Sequence, residues 1–207
     1  HTVANGDLVK AGAGTLTLSG TNTYAGSTTV NAGTLATVGV GRLANTSGVT
    51  VASGATLALG GNETLNTLSN AGTITLALAT TTLTTGASSY TLGGAVSGLG
   101  NLVKDGAGTL TLSATGVFTY KGYTIVNAGK ILYAAADLLD NDSTVTVNTG
   151  GVLDLNGFND TVGTITLAGG SIINGTLTSS NYELQAGTVS IGQVAMIIFE
   201  ASKNVEL

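Results

Sequence analysis

Cysteine, proline and tryptophan are absent from these 207 residues, histidine occurs once, and only 8% of residues carry a charge. Without cysteine there are no disulfide staples and no thiol chemistry, although that absence alone assigns no redox compartment. Without proline every strand residue keeps its N–H for a neighbour, which suits a sheet whose strands are nearly all interior. The single imidazole is His1, at a terminus. A hydrolytic triad needs a base held beside its nucleophile, so the serines read as turn and surface hydroxyls. The charged share is far below that of ordinary globular chains, and Thr, Ser and Asn must solvate the surface instead. Six Lys and Arg against eleven Asp and Glu give a net charge of -5 with no basic cluster, which disfavours a phosphate-tracking groove and a nucleic-acid partner. No apolar run is long enough to cross a bilayer as a helix, and no charged-then-apolar leader opens the chain. His1 in place of Met reads as the start of a processed or excised piece.

What is present is a duplication. Leu8 to Gly33 reads L-V-K-A-G-A-G-T-L-T-L-S-G-T-N-T-Y-A-G-S-T-T-V-N-A-G, and Leu102 to Gly129 restates it as L-V-K-D-G-A-G-T-L-T-L-S-A-T-G-V-F-T-Y-K-G-Y-T-I-V-N-A-G. The offset is 94 residues at Leu8/Leu102 and 96 at Gly33/Gly129, which places a small insertion near Phe118. Such units indicate an elongated repeat architecture, here one continuous segment over 1–207 with internal repeats at 7–100 and 101–190.

Between the turns, apolar and polar residues alternate in short runs such as Thr15–Leu18, Thr56–Leu59, Thr73–Leu76, Thr109–Leu112 and Thr164–Leu167. Period two is the strand signature. Gly, Asn and Ser at Asn31-Ala32-Gly33, Gly60-Gly61-Asn62 and Thr149-Gly150-Gly151 suit turns. The only helix-friendly stretch, Ala134 to Leu139, reads as a loop with a helical turn. Strands this short also fit a sandwich or a barrel. The leucine spacing argues otherwise: Leu16, Leu35, Leu57, Leu76, Leu92, Leu110, Leu132 and Leu153 fall 19, 22, 19, 16, 18, 22 and 21 residues apart. That is one circuit of a coiled parallel sheet, so the expected fold is an all-β parallel β-helix with roughly ten circuits stacked about 4.8 Å apart. Inward Leu, Ile and Val should ladder along the axis, with Thr outside.

The residues Leu8-Val9-Lys10, Gly12 to Gly20, Asn22, Tyr24, Gly26, Thr28 and Val30 to Leu35, with Leu102-Val103-Lys104, Gly106 to Ser113, Tyr120, Gly122, Thr124 and Val126 to Gly129, resemble the passenger-associated transport repeat of Gram-negative autotransporters. Connecting stretches such as Gly54–Leu59 and Leu153–Phe158 resemble passenger filler. The resemblance implies a right-handed parallel β-helix, secreted by the type V route and shown at or released from the cell surface. It also implies an outer-membrane translocator barrel in the parent chain as a partner. Three Phe and six Tyr cannot furnish that barrel's aromatic girdles here. In the family the repeat is associated with secretion and folding of the passenger, a scaffold role. The C-terminus departs from the pattern: Tyr182 to Ser190 echoes Tyr90 to Ser97 but leads into Val194-Ala195-Met196-Ile197-Ile198-Phe199 rather than a third copy. Residues 191–207 are therefore expected to form a divergent last rung or cap.

Several side chains invite a site. Asp137, Asp140, Asp142, Asp154 and Asp160, with Asn141, Asn156 and Asn159, are the one acidic concentration. Turn formation explains most of them, while Asp154, Asn156 and Asp160 make a weak calcium candidate that matches no complete calcium loop. Lys10 and Lys104 recur before the Gly-Ala-Gly turn, where a lysine can solvate a corner and discourage edge pairing. Tyr24 and Tyr120 fit a repeated packing role beside the turn. Phe118, Tyr123 and Tyr133 form a contact patch if exposed together, and core or loop packing if not. Thr-x-Thr pairs at Thr15/Thr17, Thr73/Thr75, Thr109/Thr111 and Thr164/Thr166 raise an ice-binding face, against which their spacing of 58, 36 and 55 residues argues.

No catalytic residue, cofactor or resident metal is expected. The functional expectation is a non-enzymatic passenger segment, an adhesin or stalk that contacts a host cell-surface protein or glycan or associates with itself. The alternatives are a secreted effector or toxin that binds a host receptor, and a polysaccharide-acting enzyme on a β-helix using the acidic stretch.

Overall fold

Runs of alternating Thr and Leu place one set of side chains on each side of an extended backbone, and burying the apolar set is what coils this chain. A computed structural model describes residues 6–39, 43, 48–191, 193–195 and 205–206. Numbered along the chain, β1 (Leu8–Lys10), β3 (Thr28–Val30), β5 (Val49–Val51), β8 (Leu68–Asn70), β11 (Tyr90–Leu92), β14 (Thr109–Leu112), β16 (Gly129–Tyr133) and β18 (Gly151–Asp154) stack in parallel along a first face. A second face holds β2 (Thr15–Leu18), β4 (Thr34–Thr37), β6 (Thr56–Leu59), β9 (Thr73–Leu76) and β12 (Ala95–Gly98), extended by a bridge from Val96 to Phe118. The third holds β7 (Glu63–Leu65), β10 (Thr82–Thr85), β13 (Asn101–Lys104), β15 (Thr124–Val126) and β17 (Thr144–Asn148). The 15-residue strands β19 (Asn159–Ile173) and β20 (Thr176–Ser190) bend through the corners and serve all three faces. Beyond them, β21 (Gln193–Ala195) and β22 (Val205–Glu206) both pair with β20.

The result is a parallel β-solenoid of about nine turns, without helix among the described residues. At the usual interstrand spacing that is a rod roughly 43 Å long. Ala134 to Asp137 bends without forming the expected helical turn. Of the C-terminal stretch, Gln193–Ala195 extends the second face, while residues 196–204 and 207 lie outside the described residues, as does His1.

The two sequence copies do not lie above one another. Leu8–Lys10 is on the first face and its copy Leu102–Lys104 on the third; Thr15–Leu18 is on the second and its copy Thr109–Leu112 on the first. The offset explains this: 94 residues at the 20 residues that separate Leu8 from its partner Thr28 is about 4.7 turns, which leaves the second copy two thirds of a turn further round.

The expected leucine ladder is therefore split. Leu16, Leu35 and Leu57 do stack, but Ile74 continues them and Leu76 pairs with Leu59 instead. Leu92 and Leu110 lie on the first face, and Leu132 faces outward, half-buried, while its neighbour Ile131 is the core residue. The core is lined by apolar columns on different faces, Leu35, Leu57, Ile74 and Val96 on the second and Leu110, Ile131 and Leu153 on the first, all fully buried. Leu16 remains 38% exposed because, among the described residues, β2 has a stacked neighbour on one side only.

Candidate functional site

The features shared by both copies gather at a corner. In L-V-K, alternation that turns the leucine inward turns the lysine inward too. Lys10 and Lys104 are accordingly buried, at 6% and 0% exposed, and do not solvate the corner as expected from sequence. Lys10 Nζ donates to the carbonyls of Ala11 (3.3 Å), Gly12 (2.7 Å) and Ala32 (2.9 Å). Lys104 Nζ donates to those of Asp105 (3.0 Å), Gly106 (2.7 Å) and Ala128 (3.4 Å). Three acceptors use all three N–H groups of an ammonium. Burial draws Lys104 below the ordinary lysine value, with the Asp105 charge acting upward against it.

The turns these lysines join are in direct contact. Gly33 and Gly129 have φ of 65° and 68°, and a Cβ on either would lie 2.4 Å from the carbonyl oxygen of Gly14 or Gly108. Only glycine allows both the left-handed backbone and that approach. Further round the circuit, the Tyr24 hydroxyl bonds the Thr28 hydroxyl at 2.5 Å, and Tyr120 bonds Thr124 at the same distance, which matches the repeated packing role read for the two tyrosines. Asp7 Oδ1 accepts the Ser27 N–H at 2.6 Å, and at the equivalent position Asn101 Oδ1 accepts the Tyr123 N–H at 3.1 Å.

The proposed aromatic patch does not exist as a surface. Phe118 is 3% exposed and Tyr133 fully buried, because both belong to the solenoid core; only Tyr123, at 40%, is exposed. Tyr133 is buried with its hydroxyl facing the carboxylate of Asp160, itself buried. Burial and that carboxylate push Tyr133 well up. Burial likewise raises Asp160, partly offset by the Tyr133 hydroxyl and by the Leu139 and Thr161 N–H groups that its carboxylate accepts at 3.2 and 2.7 Å.

Of the calcium candidates, Asp154 and Asn156 meet: Asp154 Oδ1 accepts the Asn156 N–H and the Asn174 amide, both at 3.0 Å. Asp154 Oδ2 takes Lys130 Nζ at 2.7 Å. Burial pushes Asp154 up, but Asn156, Asn174 and Lys130 together hold it below the ordinary carboxylate value. Asn156 donates its side-chain amide to the Tyr133 carbonyl at 3.1 Å. Asp160 bonds other groups and joins neither, and the described residues contain no cluster of three or more His, Cys, Asp or Glu side chains arranged for a metal.

Sequence reading missed one surface feature, a groove of about 480 Å³ where the second copy's insertion meets the loop after β16. Val117, Thr119, Lys121, Asp137, Asp140 and Asp142 line it. Lys121 Nζ reaches Asp140 Oδ2 at 2.6 Å, a bond that raises the lysine and lowers the carboxylate from their ordinary values. Their separation of 19 residues, close to one circuit, was the available signal. The outer faces are hydroxyl-rich: Thr15, Thr34, Thr56 and Thr73 stack on four successive turns. The column beside them reads Thr17, Ala36, Ala58, Thr75, so Thr-x-Thr does not repeat from turn to turn.

The two lysine corners coincide with a family assignment. The model of the passenger-associated-transport-repeat matches residues 8–36 and 102–132. Residues 8–36 and 102–132 are thus two passenger-associated-transport-repeats. Each match runs from the buried lysine, through the Gly-Ala-Gly turn and the Tyr–Thr pair, to the Asn-Ala-Gly turn that closes on it. The matches cover less than a third of the chain, and the described strands between them continue the solenoid. No curated protein and no solved structure matches the chain.

Proposed function

We propose that this passenger segment is a non-enzymatic adhesin or stalk, secreted through the outer membrane and presented at the bacterial surface or released from it. Its partner is a host cell-surface protein or glycan, or another copy of itself. The observation that carries the reading is the pairing of two passenger repeats with a continuous solenoid of about nine turns whose second face carries an uncharged column of threonines over four successive turns. Repeated weak polar contacts along such a face bind by multiplicity. The test is saturable binding of the labelled, purified segment to intact mammalian cells, before and after enzymatic glycan removal, with light scattering for self-association. Saturable binding supports the adhesin, and its loss with the glycans identifies a carbohydrate receptor. A folded monomer that binds no cell overturns host contact and self-association together.

A further inference from the structure

A buried ammonium held by backbone carbonyls alone has the form of a ligand in a site. At both corners two of the carbonyls belong to the turn that follows the lysine, and the third, from Ala32 or Ala128, belongs to the next circuit, 22 or 24 residues on. The same three positions converge in both copies although the copies sit on different faces, so the local sequence builds the arrangement and the surrounding face does not. Turn contact at Gly33 and Gly129 holds the acceptors in place whether or not the lysine is there, because backbone packs on backbone.

We propose that each repeat contains a preformed carbonyl nest for a primary ammonium ion, that its resident ligand is the chain's own Lys10 or Lys104, and that filling the nest clamps two successive circuits into one unit. The ligand class follows from the chemistry. Three convergent neutral acceptors match a cation with three N–H donors, whereas an anion is repelled and tetramethylammonium, bulky and without N–H groups, does not replace it. Around the nest the clamp protects the amides that cross between the joined circuits: Asn31 N–H to Lys10 O (2.9 Å) and Thr34 N–H to Gly14 O (3.1 Å), with Asn127 N–H to Lys104 O and Lys130 N–H to Gly108 O in the second copy. The inference is independent of the proposed adhesin role.

The experiment is hydrogen exchange on the whole segment with Lys10→Ala, alone and with protonated n-propylamine, which restores the deleted carbons and ammonium. The expected result is exchange at Asn31 and Thr34 faster by about tenfold, with Asn127 and Lys130 unchanged, on the scale of a lost buried hydrogen bond. n-Propylammonium returns both rates to near wild type, and tetramethylammonium, which has no N–H, does not. Wild-type exchange in Lys10→Ala overturns the clamp. Acceleration that n-propylammonium cannot reverse, or that tetramethylammonium reverses equally, overturns the nest. Lys10→Met keeps a buried stem and is used if the alanine variant does not fold; it should show the same acceleration, and a wild-type rate there also refutes the clamp.

Discussion

Replacing Gly129 and Gly157 by alanine separates two reasons for a glycine. Both have positive φ, 68° and 86°. At Gly157 an added Cβ meets nothing within 4 Å, so alanine meets only the left-handed backbone penalty of about 1–2 kcal/mol, partly offset by the lower entropy of its unfolded chain. The net loss should be about 1 kcal/mol. At Gly129 the Cβ would lie 2.4 Å from the Gly108 oxygen, 2.5 Å from the Gly106 oxygen and 2.9 Å from the Ala107 carbonyl carbon, all backbone. The turns must part. That weakens the Asn127-to-Lys104 and Lys130-to-Gly108 bonds and opens the Lys104 nest, each a loss of about 1 kcal/mol in addition to the φ term. Gly129→Ala should therefore lose about 4 kcal/mol. Urea unfolding followed by circular dichroism reads both, with the free energy taken from the midpoint at an unchanged slope. Variants within about 0.5 kcal/mol of each other would show that the turn contact contributes nothing and that φ alone selects glycine.

Ile131→Ala should cost about 2–5 kcal/mol and Leu132→Ala about 1 kcal/mol or less; equal losses in urea melts would return Leu132 to the core. Asp160 is raised in the fold, so it holds its proton more tightly there than in the unfolded chain, and its contribution to stability falls as pH rises from the ordinary carboxylate range through the raised value. Asp160→Asn should remove that decline while leaving the opposite trend of Asp140 and Asp154, which lose stability as pH falls through their lowered values; parallel wild-type and variant curves of melting temperature against pH would refute a buried carboxylate. Millimolar calcium should leave the melting temperature unchanged, since Lys130, Asn156 and Asn174 already occupy Asp154; a rise would show calcium binding to the folded form.

The groove between Lys121 and Asp142 and the hydroxyl columns contribute differently to recognition. An exposed ion pair such as Lys121–Asp140 adds little affinity and is weakened by salt, whereas a column of neutral hydroxyls is insensitive to it. Cell binding that persists at high salt would therefore point to the faces, and salt-sensitive binding to the groove.

The sequence by itself determined the strands, the parallel coil and the repeated corner. Period-two runs such as Thr56–Leu59 can bury their leucines only as strands, missing proline leaves every N–H free to pair, and an internal duplication of glycine-bounded strands requires stacking. It even placed Lys10 on the inward side, two residues from Leu8, although a lysine there reads as solvated until its acceptors are known. Two of the three acceptors lie in the turn that follows the lysine, but the third, Ala32 or Ala128, lies a full circuit away, where no local pattern specifies it. Tertiary structure alone decided which turn lies under which. Because circuits vary between 17 and 22 residues, a 94-residue offset carries the second copy to another face, and stacking gives Asp154 and Asp160 different neighbours. Strand identity is set within a few residues, but register around the axis accumulates over the whole chain.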